Sequence, residues 1–317
     1  MKPSPSVDAI IFDIDNVLID TRHSYLDAIR YTVEYYLTFS SVPFFRKSHL
    51  AREPQILSPE DVSRFKLLGG FNDDWDCCYG LLIYLLSLPV QKRTVEELKA
   101  RIDLEGFSKK IKRRPLKVSG IVKLFGIKSV VMIEKIGRIF QEIYLGKNLF
   151  QSVERKRTLY WKKKGLIEKE KLIFKPDLLK KLKERGFKLG IATGRPRFEA
   201  VYSLRRFGIL EFFEAMTTMD EVKQAEQMMK LSLRKPHPFS LLETAKKIGV
   251  KKKFLYVGDL PDDILAAREA KSTLNIASVA FPFLNETPKF LEEIRKVKPD
   301  FILTKPRDIL EIVGKRM

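Results

Sequence analysis

Asp8-Ala9-Ile10-Ile11-Phe12-Asp13-Ile14-Asp15-Asn16-Val17-Leu18-Ile19-Asp20 is the stretch on which the fold turns. Ala9 to Phe12 are four apolar residues without alternation, the pattern of a strand buried on both faces of a parallel sheet. Two carboxylates follow, Asp13 and Asp15. Residues two apart in extended chain point to the same side. Both acids are therefore expected to converge on the sheet's C-terminal edge, where open α/β sheets bind their ligands. Like charges held so close require a cation or a shared proton. Taken alone, the pair also fits a solvated helix cap at Asp13 and a turn at Asp15.

Around this stretch the composition is that of a globular chain. Its 317 residues are 44% hydrophobic and 32% charged, enough for about two domains. The apolar run near the N-terminus is broken by Asp13, so no signal peptide is expected. The longest apolar run, Tyr79 to Val90, is too short to span a bilayer. A cytoplasmic protein without a membrane partner is the expectation. Cys77 and Cys78 are the only cysteines and are adjacent, which suits neither disulfide geometry nor a zinc site. The net charge of +20 sits in short runs at Lys109-Lys110, Lys112–Arg114, Arg155–Arg157, Lys162–Lys164 and Lys251–Lys253. These runs read either as solvated helix faces or as an attraction for an anionic partner, a phosphorylated substrate or nucleic acid. Because no aromatic ladder interleaves them, a nucleic-acid surface is the weaker expectation.

Past Asp20, apolar residues at helical spacing (Leu26, Ile29, Val33, Leu37) predict a helix over 25–39. Ser58-Pro59-Glu60-Asp61 starts another. Phe71-Asn72-Asp73-Asp74-Trp75-Asp76 then precedes the apolar helix Cys77–Leu88. Asp73 or Asp74 can cap that helix and Trp75 can pack in the core. Alternatively, Asn72 and Trp75 belong to a substrate-contacting loop, since amide, carboxylate and indole groups cluster there. Residues 89–175 read as helical and lysine-rich, so 21–175 is predicted to be one all-helical insert. From Pro176 the pattern alternates. Helices are predicted at 177–185, 198–207, 239–248 and 264–270, and strands at 187–192, 214–219, 254–257, 276–281 and 301–304. Residues 220–234 read as a polar loop. This rhythm predicts a doubly wound parallel sheet built from residues 1–20 and 176–317.

In such a sheet, residues far apart in the chain meet at one edge. Thr193, Asp259 and Asp263 follow strand ends, and Lys235 lies in a loop before a helix. Carboxylates of this kind hold Mg2+, an oxygen-seeking ion. A hydroxyl and an ammonium can neutralise a transferring phosphoryl group.

The sequence resembles the haloacid dehalogenase (HAD) superfamily, in the subclass that carries a helical cap between its first and second motifs. Asp13-Ile-Asp15-Asn16-Val matches the first motif and Ile-Ala-Thr193-Gly-Arg the second. Lys235-Pro236 matches the third and Gly258-Asp259-Leu-Pro-Asp262-Asp263 the fourth. The resemblance covers about residues 1–20 and 176–317. The insert matches in position and helical character, although Gly69–Asp76 resembles a stretch found in one subgroup. The resemblance implies a Rossmann-like core with a helical cap, and a Mg2+-dependent phosphatase acting on a small phosphorylated metabolite. It assigns Asp13 as the nucleophile that becomes an aspartyl phosphate, and Asp15 as the acid and base. Thr193 and Lys235 would bind the phosphoryl group. Asp13, Asp259 and the backbone carbonyl of Asp15 would hold the metal, with Asp263 in or next to its ligand set; Asp262 is the weaker candidate. Gly194 and Arg195 border the substrate, and Arg195 or Arg22 would either grip a second anionic group or form a surface ion pair. Asp15 argues against carbon–halogen cleavage, because the dehalogenases lack this second acid. A phosphomutase is the nearest alternative, and a basic nucleic-acid-binding protein with a vestigial site the more distant one. Asn16 stands where the family usually has Gly; Asn tolerates a left-handed backbone, so the turn is expected to be kept.

Overall fold

A computed structural model describes residues 7–39, 53–66, 68–71, 73–111, 116–126, 131–249, 252–285 and 287–314. Asn72, Lys112–Arg114 and Lys251, singled out above, lie outside the described residues. The chain divides into two compact units, one of residues 1–20 with 171–317 and the other of 21–170.

Among the described residues the first unit is built on eight short strands. They are β1 (Ala9–Phe12), β2 (Ile19–Asp20), β3 (Lys171–Leu172), β4 (Lys188–Ala192), β5 (Ala215–Thr217), β6 (Lys253–Gly258), β7 (Asn275–Ala280) and β8 (Phe301–Ile302). Six of them form a sheet in the order β5-β4-β1-β6-β7-β8, and every pairing in it is parallel. β1 sits between β4 and β6, with Ala9 opposite Lys188 and Phe254, and Phe12 opposite Ile191 and Val257. Its side chains alternate between two cores. Ile10 and Phe12 pack with Phe174, Leu179 and Leu204, while Ala9 and Ile11 pack with Leu241, Tyr256 and Ala267. An unbroken apolar run is what a strand covered on both faces needs. Each fully buried aliphatic side chain contributes about 1.5–3 kcal/mol.

β2 and β3 form a small antiparallel ribbon, Ile19 opposite Leu172 and Asp20 opposite Lys171. That ribbon ties the exit of the insert to its return. The second unit therefore ends at Glu170, five residues before the end read from sequence. Residues 219–229 are a helix rather than the polar loop expected. Its start was written in Thr218-Met-Asp-Glu221, where Glu221 accepts from the backbone N–H of Thr218 at 3.0 Å, one half of a capping box. A helix at Pro288–Lys296, absent from the sequence reading, begins with proline in its first turn.

The second unit is helical. Its longer elements are Asp27–Phe39, Asp74–Leu86 and Ile133–Glu154. The Tyr25 ring stacks on Tyr144 with centroids 4.6 Å apart. Gly146 interrupts the last helix at φ 74, and a Cβ there would come within 2.1 Å of the Gly165 backbone nitrogen. Only glycine allows the chain to pass so near itself there. Next to this crossing, the fully buried Glu142 organises the returning loop. Its carboxylate accepts from the backbone N–H groups of Leu159 (2.9 Å), Tyr160 (2.7 Å) and Trp161 (3.1 Å), and from Arg138 Nε at 2.6 Å. Glu142→Ala would strand all four donors. It is expected to cost about 3–5 kcal/mol in urea unfolding, as for one broken partner of a buried ion pair, and Glu142→Gln, which keeps an acceptor, clearly less.

Among the described residues no helix is long and apolar enough to cross a membrane.

Candidate active site

The parallel pairing of β1 with β4 and β6 brings three strand ends together, and the acidic residues of the sequence lie just beyond them. Asp13 directly follows β1. Its backbone N–H donates to Val257 at 2.9 Å, which fixes it against β6. One carboxylate oxygen accepts from the Ile14 N–H at 2.7 Å, and the other lies 3.0 Å from Lys235 Nζ. The chain then leaves the sheet in a tight turn in which Val17, Leu18 and Ile19 all donate to the Ile14 carbonyl. Asn16 takes a left-handed conformation there, with φ 55. Because the strand ends at Phe12 and the backbone bends at once, the Asp15 carboxylate is not one of the clustered carboxylates that include Asp13. Asp15 instead accepts from Arg195 Nε at 2.6 Å.

Asp259 and Asp263 come from the end of β6 and the first turn of the helix Pro261–Ala270. Ligand oxygens of Asp13, Asp259 and Asp263 all lie within 4.8 Å of one another. Asp263 is held from three sides. It accepts from Tyr256 Oη at 2.7 Å and from the Leu260 N–H at 3.0 Å, and it faces Lys235 Nζ at 2.8 Å. Gly258 makes this possible, since a Cβ on it would fall 2.2 Å from the Asp263 Cβ. Asp259 accepts from Asn16 Nδ2 at 3.3 Å, so the Asn that replaces the usual Gly adds a donor to the site.

Lys235 Nζ thus bridges Asp13 and Asp263, and it sits 5.4 Å from the centroid of the Tyr256 ring. Tyr256 was missed from sequence. A tyrosine within the buried run Phe254–Val257 was the available signal, because a buried phenol needs a polar partner. Thr193 is buried after β4, and its Oγ1 accepts from the Arg195 N–H at 3.2 Å. Gly194 is exposed, and a Cβ there would meet nothing nearer than Met219 at 3.9 Å. Arg195, expected at the substrate or in a surface ion pair, is 1% exposed, so its ion pair with Asp15 is not a surface one. Besides Asp15 it donates to Ser203 Oγ at 3.1 Å. Asp262 is half-buried and is not one of the three clustered acids.

Trp75 and Arg22 belong to the second unit. The Trp75 indole lies against the helix Ile133–Glu154, where a Cβ on Gly137 would meet it at 2.9 Å. The Asp73 side chain accepts from the Trp75 N–H at 2.9 Å and caps the following helix. That helix starts at Asp74, three residues earlier than expected. The cap expected of Asp73 or Asp74 is supplied by Asp73, and Trp75 keeps 37% of its surface exposed.

Electrostatically the cluster is short of positive charge. Burial pushes the Asp13 carboxyl up; the Lys235 ammonium opposes this, and the Asp263 carboxylate adds to it. Burial, then the Asp263 and Asp13 carboxylates, push Asp259 well above the usual range. Burial disfavours the charged form of Lys235, but the attraction of Asp13 and Asp263 outweighs it and keeps the ammonium charged. Three clustered carboxylates served by one ammonium fit a divalent cation with oxygen ligands.

A pH dependence follows. An acid whose folded pKa is raised gives stability that is full below its unfolded value, 3.8 for Asp259, and is lost as pH climbs through the raised value. In metal-free protein, Asp259→Asn keeps the Asn16 contact and removes this loss. It should leave the melting temperature nearly unchanged below about pH 4 and raise it by a few degrees at pH 8. Added Mg2+ should stabilise the wild type and not the variant. Differential scanning fluorimetry with EDTA or Mg2+ reads both.

Residues 7–271 match the family of haloacid dehalogenase-like hydrolases. Over 139 residues the chain is 36% identical to pyrophosphatase PpaX of Bacillus pumilus (strain SAFR-032), a match covering 44% of this chain and 57% of that protein. A match of the same coverage, at 32% identity, is to pyrophosphatase PpaX of Halalkalibacterium halodurans. The chain thus spans little more than half the length of these curated relatives. Among solved structures, phosphatase Tt82 from Thermococcus thioreducens aligns at 26% identity with a TM-score of 0.61, over 86% of this chain and 91% of that one.

Proposed function

The chain belongs to the haloacid dehalogenase-like hydrolase family, and from that premise we propose that it is a Mg2+-dependent phosphatase acting on a small phosphorylated compound through an aspartyl phosphate on Asp13. What supports this reading above all is the convergence of Asp13, Lys235, Asp263 and Asp259 at one sheet edge, with Lys235 Nζ 3.0 Å from the Asp13 carboxylate.

Asp13 attacks phosphorus, and the bond from phosphorus to the leaving oxygen breaks. Asp15 gives that oxygen its proton, then takes a proton from the water that attacks the phosphoenzyme. The second attack releases inorganic phosphate and restores the Asp13 carboxylate. Thr193 and Lys235 bind the phosphoryl oxygens, and the ammonium also offsets the charge of Asp13 before attack. Mg2+ would be held by Asp13, Asp259 and the Asp15 carbonyl, and supplies charge neutralisation to the phosphoryl group when bound. Asp263 orients Lys235 through their 2.8 Å contact. The helical unit is assigned as a cap that controls access and excludes water.

Relatives named pyrophosphatases make pyrophosphate a member of the first substrate panel, beside p-nitrophenyl phosphate and phosphomonoesters. Phosphate release is expected with Mg2+ and not with EDTA. Turnover that persists in EDTA would remove the metal from this reading, and a silent panel would remove the activity.

A further inference from the structure

Among the described residues, Arg195 is the largest fully buried side chain. Burying a guanidinium is costly unless every direction of its planar fork is used. Nε donates to Asp15 Oδ1 at 2.6 Å, one terminal nitrogen donates to Ser203 Oγ at 3.1 Å, and the residue's own backbone N–H donates to Thr193 Oγ1 at 3.2 Å. These contacts join three separate pieces of the sheet edge: the turn after β1, the loop after β4, and the helix Arg197–Arg206. The pair is lopsided. The Arg195 side chain has no exposure, whereas that of Asp15 retains 31%. The cation is therefore sealed inside and the carboxylate is presented outward.

We infer that Arg195 is a positioning residue that aims the Asp15 carboxylate at the leaving oxygen of the substrate. The inference rests on the role proposed above for Asp15. A carboxylate at the end of a turn can rotate about two side-chain bonds. A guanidinium anchored to Ser203 removes that freedom, so that proton transfer finds its donor already oriented. Arg195 itself transfers no proton: Asp15 gives one to the leaving oxygen as the phosphorus–oxygen bond breaks, and recovers one from water in the second step.

The leaving group provides the test. Phenyl phosphate and p-nitrophenyl phosphate are close in shape. Phenolate, with a conjugate acid like that of tyrosine at about 10, needs the proton, whereas nitrophenolate departs without it. In the full-length enzyme with Mg2+, kcat/KM reports the phosphorylation step for both. Arg195→Met is expected to lower kcat/KM for phenyl phosphate by about 100-fold and for p-nitrophenyl phosphate by only a few-fold. Asp15→Asn should show the same selective loss, and the double variant should be no worse than Asp15→Asn alone. Ser203→Ala, a small change that spares the ion pair, should give a weaker loss of the same selectivity and keeps the test valid if Arg195→Met fails to fold. Equal losses on both substrates or additive losses in the double variant would overturn the inference. Asp15→Asn that spares both substrates, in an enzyme still active with Mg2+, would instead remove the acid–base role on which it rests.

Discussion

Asp13→Asn should leave a folded protein with turnover reduced at least about 10,000-fold, the scale seen when a nucleophile is removed from a site that works as a unit. The amide oxygen can still accept from the Ile14 N–H that now meets the carboxylate at 2.7 Å, so the turn is kept. What disappears is the attacking oxyanion and the attraction it exerts on Lys235 across 3.0 Å. The same substitution removes one of the three carboxylates that crowd together within 4.8 Å. No large loss of stability is therefore expected in metal-free protein at neutral pH. Activity with and without the substitution, together with the absence of an acid-stable, base-labile phosphoenzyme in the variant, checks the assignment. A variant that turns over at the wild-type rate would sink the aspartyl phosphate altogether.

Lys235→Met is the second large effect, and it should strike stability and activity together. The ammonium lies between Asp13 and Asp263 at 3.0 and 2.8 Å and is nearly enclosed, with 16% side-chain exposure. Without it two buried carboxylates face each other, a situation that costs about 3–5 kcal/mol. Loss of one donor to the phosphoryl oxygens adds about 100- to 1,000-fold in kcat. The sign of the pH effect is fixed. Burial already raises Asp13, and removing the cation that opposes this raises it further. The folded variant therefore holds protons that the unfolded chain has released, and its stability falls as pH rises above the ordinary carboxylate range. Urea unfolding across that range measures it. Adding Asp263→Asn should restore much of the stability and none of the activity, because the double change removes repulsion without supplying a cation for phosphate. Stability that stayed low in the double variant would show Lys235 to act on the fold by another route.

Much of this was legible before any coordinates. Four apolar residues followed by Asp13, and later strand ends carrying Thr193 and Asp259, suffice to bring these groups to one edge, because a parallel sheet has all its C-terminal ends on one side. Local signals also existed where the sequence reading fell short. Thr218-Met-Asp-Glu221 announces the helix read as loop, and Tyr256 within a buried strand announces a polar partner. The ribbon of Ile19-Asp20 with Lys171-Leu172 carried no such signal. Two-residue strands have too few side chains for a period, and the partners are separated by the whole insert.

By itself, the sequence determined the parallel α/β core, its interruption by a helical unit, and the roster of acids and the lysine at the strand ends. Strand burial, chain punctuation and residue chemistry are local properties, readable one segment at a time. Tertiary structure alone decided how those charges pair: Lys235 between Asp13 and Asp263, Asn16 on Asp259, and Arg195 turned inward to Asp15 instead of outward to solvent. Such pairings depend on distances between side chains from different segments. An arginine beside a motif looks the same in sequence whether the fold buries it or leaves it in water.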